Sequence, residues 1–349
     1  MGCRVFVAGA TGKVGMELIR QTYSNAPVDN IKPEPMNIVG LASSTHYLYS
    51  RYGISEKDAL SFSRKELTGR KHDSLYSMIR MLRRDPLVMH IVDATSGRYM
   101  QDFHIGIITS THHSINTANK NPLVYSNPGI FIKLTSDKRR YRYSCSVMAG
   151  AGAVECVEMI VNKGGRVTMI EGCLSGTIGF VLSKMENGLK PSSAIDEAVR
   201  LGYAEPDWEI DMNGGDVAKK IIILARTAGI KAEMRDVTVV PLLERGAARE
   251  AELMLRANNA ITKGMRLKYI ARMSVRNGGY KISVKPEEVP AGSALGMLEG
   301  NMNRVTISVE GSESAISMKA PGAGAEVTAK NIRRGLLCQI DPKRSAYDA

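Results

Sequence analysis

An α/β architecture, a doubly wound parallel sheet followed by an α+β domain on a mixed sheet, follows from three observations in this 349-residue chain. The N-terminal part alternates short apolar runs with charged helical stretches. A glycine turn, Gly9-Ala10-Thr11-Gly12-Lys13-Val14-Gly15, joins the first run to the first helix; open α/β sheets take phosphate groups at such a turn. After about residue 140 the alternation gives way to longer strand-like runs with a hairpin-type turn among them.

Arg4 to Ala8 is β-branched and aromatic and reads as a strand, and Met16 to Tyr23 has helical spacing. Further strands are expected at Asn37 to Ala42, His90 to Ala94 and Ile105 to Ile108, giving a Rossmann-type dinucleotide-binding domain over residues 1–140. The runs Tyr141 to Val147, Val167 to Leu174, Met265 to Val275, Tyr280 to Val284 and Arg304 to Val309 are punctuated by helices. They predict an α+β domain on a mixed sheet over residues 141–315, to which the family resemblance given below assigns substrate binding and dimerisation. Asn277-Gly278-Gly279 marks a hairpin, because these residues tolerate positive φ. Gly322-Ala323-Gly324 and the stretch to Leu337 read as a glycine turn and a helix, so residues 316–349 are expected to return to the nucleotide-binding domain. There is no internal repeat, low-complexity tract or Pro, Gly or Ser linker.

With 44% hydrophobic and 23% charged residues the chain is neither disordered nor collagen-like. No stretch approaches the roughly 18 to 20 apolar residues of a membrane span. Met1-Gly2-Cys3-Arg4-Val5-Phe6 lacks a signal core, so the expected location is the cytoplasm, without membrane attachment. The five cysteines (Cys3, Cys145, Cys156, Cys173, Cys338) show no C-x-x-C spacing and read as reduced, packed thiols. The excess of 47 basic over 35 acidic residues suits nucleic acid, an acidic surface or a small anion. One Trp and 5% aromatics argue against base-stacking, and runs such as Lys138-Arg139-Arg140 read as solvated faces, so no nucleic-acid partner is expected.

Glycines at 9, 12 and 15 allow a tight turn, close approach of a pyrophosphate, and helix-on-strand packing. The first-turn amides, with Thr11 and Val14 in the turn and Lys13 beside it, supply positive charge. The plain alternative is an ordinary βα turn. Where an NAD-preferring domain places a carboxylate on the ribose, this chain reads Leu41-Ala42-Ser43-Ser44-Thr45-His46. Ser43 and Ser44 can donate to a 2′-phosphate, with His46 or Arg51 supplying charge, so NADP is preferred to NAD. Asp93-Ala94-Thr95-Ser96-Gly97 closes another strand at the same edge and points to Thr95 and Ser96 on the nicotinamide side. Lys120 follows in Thr117-Ala118-Asn119-Lys120-Asn121-Pro122. A capping pair and a surface lysine are the alternatives there.

A second cluster begins where a helix ends at Ala198 to Gly202, a loop runs from Tyr203 to Asp211, and another helix starts near Gly214. On that helix Val217, Ile221, Leu224 and Ala228 form the apolar stripe, and Asp216 and Lys220 border it one turn apart. Alone, they would be an exposed ion pair of about 0.3 to 0.5 kcal/mol. Glu205, Asp207 and Asp211 add carboxylates in a proline-constrained loop, as recognition of a zwitterionic amino acid requires. A lysine partly desolvated there shifts from about 10.4 toward the range useful for proton transfer.

The stretch Ala198 to Lys220, with Gly-Tyr, Glu-Pro-Asp, a later Asp and Gly-x-Asp-x-x-x-Lys, resembles the homoserine dehydrogenase family. Supporting matches occur in the family's order: Gly9 to Gly15, Thr117 to Pro122, Ser175-Gly176-Thr177 with Phe180, and Gly322-Ala323-Gly324 with Thr328-Ala329. The resemblance implies reversible NAD(P)-linked interconversion of homoserine and aspartate 4-semialdehyde, toward threonine and methionine. It implies Lys220 and Lys120 as the acid/base pair tuned by Asp216, and Glu205 and Asp211 as ligands of the amino group and hydroxyl. Gly176, Thr177 and Tyr203 would line the pocket, Gly322 would join the cofactor residues, and the assembly would be a homodimer. Some members hold a monovalent cation such as sodium through main-chain carbonyls, which maps to Ser144, Val147, Ala149 and Ala151. Trp208 stands where the family often has proline, Ser144 where it often has an acid. The chain has room for neither an aspartate kinase domain nor a C-terminal regulatory domain, so threonine feedback through one is not expected.

Two other readings stay open on sequence. Aspartate-semialdehyde dehydrogenase shares the glycine turn but needs a thiol nucleophile, for which Cys145 or Cys156 would stand. A non-catalytic NADP sensor binding a polyanion would show steep salt dependence and no turnover.

Overall fold

The computed structural model describes residues 3–28, 35–322 and 324–341. The chain forms two compact units, Met1–Ala151 with Gly324–Ala349, and Gly152–Ala323.

The first unit carries β1 (Cys3–Ala8), β2 (Met36–Ala42), β3 (His46–Tyr49), β4 (Arg70–Lys71), β5 (His90–Asp93), β6 (Ser114–Thr117) and β7 (Tyr141–Arg142). They form one seven-stranded sheet in the order β4-β3-β2-β1-β5-β6-β7. β2, β1, β5, β6 and β7 run parallel, while β3 and β4 add antiparallel at one edge. Every residue of β1 is buried, as a central strand covered on both faces demands.

The second unit carries β8 (Val167–Cys173), β9 (Val237–Val239), β10 (Met265–Arg276), β11 (Gly279–Pro290), β12 (Met302–Val309) and β13 (Ile316–Pro321). Their order is β13-β12-β8-β10-β11-β9. The sheet is mixed because β9 pairs parallel with β11 and the other pairs are antiparallel. The β10–β11 hairpin turns on Asn277 (φ 50°) and Gly278 (φ 76°), the positive angles a two-residue turn of matching twist needs.

Three expectations are corrected. Ile105 to Ile108 is not a strand but part of the helix Met100–Ser110. Met100, Phe103, His104 and Ile107 are its buried residues, a 3-4-7 spacing that marks one helical face. Of Tyr141 to Val147 only Tyr141–Arg142 is a strand, and it extends the first sheet beside β6. β13 pairs with β12 in the second sheet, so that unit continues past residue 315.

The helix Ala325–Ile340 completes the first unit. Its Ala329, Ile332 and Leu336 share a core with Val5, Val7, Leu18, Ile19 and Ile38. The five cysteines are buried and form no disulfide. No helix among the described residues is long and apolar enough to cross a membrane.

At the start of β5, His90 Nδ1 lies 2.7 Å from Ser114 Oγ. Burial, with the charge of nearby His113 adding to it, pushes His90 down to about 4 from its ordinary 6.5. The unfolded chain therefore takes up this proton first, and the stability linked to His90 is present above about 6.5 and lost as pH falls toward 4. The urea midpoint should fall between pH 6.5 and pH 5, and fall less in His90→Asn; equal slopes in the two proteins would remove His90 from the account.

Candidate functional site

In the first unit the site begins where β1 ends. Gly9 has φ +83°, its N–H donates to Ala42 O (2.9 Å), and Gly12 N–H donates to Gly9 O (3.0 Å) to close the turn. A Cβ on Gly15 would stand 2.2 Å from Gly9 O, and one on Gly9 would stand 2.8 Å from the Ala94 carbonyl. Neither position admits another residue without moving backbone. No side chain caps the helix Lys13–Tyr23 at Gly12, and no acidic residue stands in its first turn. Thr11, Lys13 and Val14 thus flank a helix N-terminus of uncancelled positive polarity, which suits a pyrophosphate. At the β2–β3 turn, Ser43 Oγ accepts from His46 N–H (3.0 Å) and Thr45 N–H (3.3 Å), so its hydroxyl shapes the turn, while Ser44 is exposed. The turn itself holds no carboxylate.

The ends of β5 and β6 are joined by a buried network. Asp93 Oδ1 accepts from Thr95 N–H (2.9 Å) and Thr95 Oγ1 (2.7 Å). Asp93 Oδ2 lies 3.0 Å from His104 Nε2, and His104 Nδ1 lies 2.7 Å from Tyr141 Oη. A ring protonated on Nε2, with the phenol donating to Nδ1, satisfies both bonds. Burial, then the charge of Asp93, pushes the Tyr141 phenol well above its ordinary value. Asn119 Nδ2 donates to Thr95 Oγ1 (3.1 Å) and Gly97 O (3.1 Å), and Asn121 Nδ2 donates to Ser96 O (2.8 Å). Half-buried Lys120 sits between these two asparagines at the cap of the helix Asn121–Val124. Thr95, Ser96 and Lys120 are thus fixed along one edge.

In the second unit, Lys220 lies on the helix Gly215–Thr227. Its Nζ donates to Leu174 O (2.7 Å) and stands 2.9 Å from Asp216 Oδ2. The lysine side chain is 8% exposed against 51% for Asp216, so this is no surface pair. Leu174 opens the turn between β8 and the helix Gly176–Glu186, which Ser175 caps. Thr177 Oγ1 donates to Tyr203 O, and Tyr203 packs 5.1 Å from the Phe180 ring. Asp211 Oδ2 accepts from Glu205 N–H (2.9 Å), closing the loop onto the short helix Glu209–Met212. Gly322 lies in this unit, beside Gly176: a Cβ on Gly176 would stand 3.6 Å from Gly322 Cα. The sequence reading overlooked Asp93, His104, Asn119 and Leu174 O. It also overlooked Arg245, which lies over the Trp208 ring (5.9 Å) and pairs with Glu209 (3.0 Å).

Three of the four carbonyls assigned to a cation, those of Ser144, Val147 and Ala149, accept hydrogen bonds from within the protein. Ser144 O accepts from Val147 N–H (3.3 Å), Val147 O from Gly150 N–H (3.0 Å), and Ala149 O from Asn331 Nδ2 (2.7 Å). A guanidinium nitrogen of Arg334 lies 2.7 Å from Gly150 O. Each of these three carbonyls thus already has one donor, and Gly150 O, which meets Arg334, lies between Ala149 and Ala151. Among the described residues no group of three His, Cys, Asp or Glu side chains is placed to hold a metal ion.

The family model described as homoserine dehydrogenase matches residues 154–337. The chain belongs to the homoserine dehydrogenase family. Homoserine dehydrogenase of Paracoccidioides brasiliensis is 30% identical over 71% of this chain and 73% of its own length. The bifunctional aspartokinase/homoserine dehydrogenase of Haemophilus influenzae is 27% identical over 95% of this chain, which spans 42% of that relative's length. Among solved structures, a Candida auris protein of unknown function superposes with TM-score 0.78 at 24% identity, covering 95% of this chain and 96% of that one. A hyperthermophilic archaeal homoserine dehydrogenase in complex with NADPH gives 0.73 at 20%, covering 97% and 98%. These two likenesses show the fold that family members share.

Replacing His104 by Phe leaves the Asp93 carboxylate buried without its ring donor. A destabilisation of about 3 to 5 kcal/mol is expected by urea titration, and a change within error would show that Thr95 and Thr117 suffice to hold Asp93.

Proposed function

We propose that this chain is an NADP-linked homoserine dehydrogenase that reversibly converts L-homoserine to L-aspartate 4-semialdehyde, toward threonine and methionine. The observation that carries the proposal is Lys220, buried at the end of β8 with Leu174 O and Asp216 as its partners. Burying an ammonium is unfavourable unless it is paired, and its carbonyl partner Leu174 opens the turn into the helix Gly176–Glu186 that carries Thr177.

In the oxidative direction Lys220, deprotonated to the amine, accepts the proton of the C4 hydroxyl, and the bound nicotinamide would supply the hydride acceptor. In reduction it returns the proton to the carbonyl oxygen. Asp216 positions the ammonium, and Lys120 is the second member of the acid/base pair. Glu205 and Asp211 bind the substrate's amino group and hydroxyl, with Gly176, Thr177 and Tyr203 lining the pocket and Gly322 beside them. Gly9, Thr11, Gly12, Lys13, Val14 and Gly15 hold the pyrophosphate. Ser44, with Ser43 setting the turn, faces the 2′-phosphate, and Thr95 and Ser96 lie on the nicotinamide side. NAD is the secondary cofactor. A cytoplasmic homodimer through the second unit's sheet is proposed from family membership.

The rival semialdehyde chemistry needs a reactive thiolate. Burial pushes the Cys156 thiol up and the Cys173 thiol up to about 12, and all five cysteines are buried.

Absorbance at the reduced-nicotinamide band, with homoserine and NADP and then NAD, tests the reading. Turnover should be faster with NADP. Lys220→Gln and Lys120→Ala should each lose about 10² to 10⁴ in kcat, with NADPH binding retained in Lys220→Gln. A wild-type protein that binds NADPH but oxidises no homoserine and reduces no aspartate semialdehyde would overturn it. Separately, Gly15→Ala should weaken NADPH binding by about tenfold or more, roughly 1.4 kcal/mol, measured by nucleotide fluorescence; unchanged affinity would remove the pyrophosphate from this turn.

A further inference from the structure

The segment that passes from the first unit toward the second is an unusual piece of backbone. Met148 (φ 48°) and Ala149 (φ 52°) are consecutive non-glycine residues in the left-handed region, followed by Gly150 (φ 85°) and Gly152 (φ 94°). Side chains at such angles cost of order 1 to 3 kcal/mol each and persist only where their surroundings hold them. What holds them here is one face of the helix Ala325–Ile340. Asn331 Nδ2 donates to Ala149 O and Arg334 to Gly150 O, both at 2.7 Å. These donors stand one helical turn apart and meet successive carbonyls. Thr328, a further turn back, accepts a weak bond from Cys145 Sγ at 3.9 Å. The fit leaves no slack, since a Cβ on Gly150 would stand 2.9 Å from both Asn331 Cβ and Cys145 Sγ.

We propose that Arg334, with Asn331, does here what a monovalent cation does in some members of the family: it holds the 147–152 turn closed through its carbonyls. A guanidinium is a cation delivered on the end of a side chain, and it supplies directed N–H donors where a metal ion supplies an undirected charge. Half-buried Arg334 has no carboxylate partner among the described residues, so its charge stands against the carbonyls uncancelled and repels a second cation. The residue at 144, Ser144, brings no carboxylate to balance one. Arg334 and Asn331 are therefore positioning residues, and the protein needs neither sodium nor potassium. The inference rests on the NADP-binding part of the proposed function, not on the identity of the substrate.

The test compares the whole protein in sodium, potassium and choline chloride at equal ionic strength, by thermal midpoint, NADPH fluorescence titration and, where turnover exists, kcat and KM. Wild type should show the same midpoint and NADPH affinity in all three salts. Arg334→Ala should lose affinity for NADPH by about tenfold or more in choline and regain part of it in sodium or potassium. Arg334→Lys, which keeps the charge, should remain indifferent to the salt. A wild-type midpoint or affinity that falls severalfold in choline and returns with sodium overturns the proposal without any variant. So does an Arg334→Ala protein that matches wild type in choline. Because the melting and fluorescence arms need no turnover, failure of the homoserine assay alone would count against the proposed function and leave the cation question decided.

Discussion

The first unit depends on a helix that the chain supplies last. Ala325–Ile340 lies in the same core as β1 and the helix Lys13–Tyr23, through Ala329, Ile332 and Leu336. Its backbone is tied to β6 directly: Asn116 Nδ2 donates to Ile332 O (3.2 Å) and Gln339 Nε2 to Ile115 O (3.0 Å). The approach is close enough that a Cβ on Gly335 would stand 2.4 Å from Asn116 Nδ2. The helix even carries Arg333, 2% exposed, with its Nε and Nη1 unbonded among the described residues. Apolar burial along the rest of the helix must outweigh that desolvation. These contacts are far apart in sequence, 216 and 224 residues, and such non-local closure is slow.

Buried polar groups are held differently in the two units. Asp93 is a hub with several donors on its two oxygens, and each donor belongs to a different element: Thr95 after β5, His104 on a helix, Thr117 on β6. Such a fully occupied carboxylate specifies geometry, because moving any one loop leaves a charge short of a partner. Lys220 is the opposite case. Its Nζ donates to a carbonyl and pairs with Asp216, whose own side chain is half exposed. The hub is closed to solvent, whereas Asp216, paired with the buried lysine, is exposed to water.

Features set by local sterics were legible in the sequence. The glycine turn is one, since its need for positive φ and for missing Cβ atoms lies within a few residues. The β10–β11 hairpin and the one-turn spacing of Asp216 and Lys220 are others. Features set by tertiary partners were not. Ile105 to Ile108 reads as a strand because a short apolar run has no decisive period, and only the burial of Phe103 and His104 on the same face shows the helix. The His104–Tyr141 bond spans 37 residues and the Lys220–Leu174 bond 46, so neither the hub nor the depth of the lysine leaves a local pattern. The Asn331 bond to Ala149 O spans 182. Of the carbonyls read as a cation site from their family position, Ala149 O is thus bonded by a helix far along the chain.

Arginine use changes how the net charge of +12 should be understood. Arg140 donates to Ile108 O (2.9 Å), Thr111 O (2.7 Å) and His113 O (2.8 Å), gathering carbonyls at the end of the helix Met100–Ser110, where the helix dipole is negative. Arg226 donates to Ala232 O (2.8 Å) just past the end of its own helix. Arg4 meets Asp85 with both terminal nitrogens (3.1 and 2.7 Å) and also reaches Leu87 O. For Asp85, burial pulls upward, but hydrogen bonds from Arg4 and Tyr49 outweigh it and hold the carboxyl well below the usual range. Arg334 fits the same habit. Main-chain carbonyls carry no formal charge, so Arg140, Arg226 and Arg334, unlike Arg4 with its Asp85, add to the net charge while acting as internal clasps. A positive total produced in this manner belongs partly to the architecture, and it weakens any inference from charge alone to a polyanionic partner.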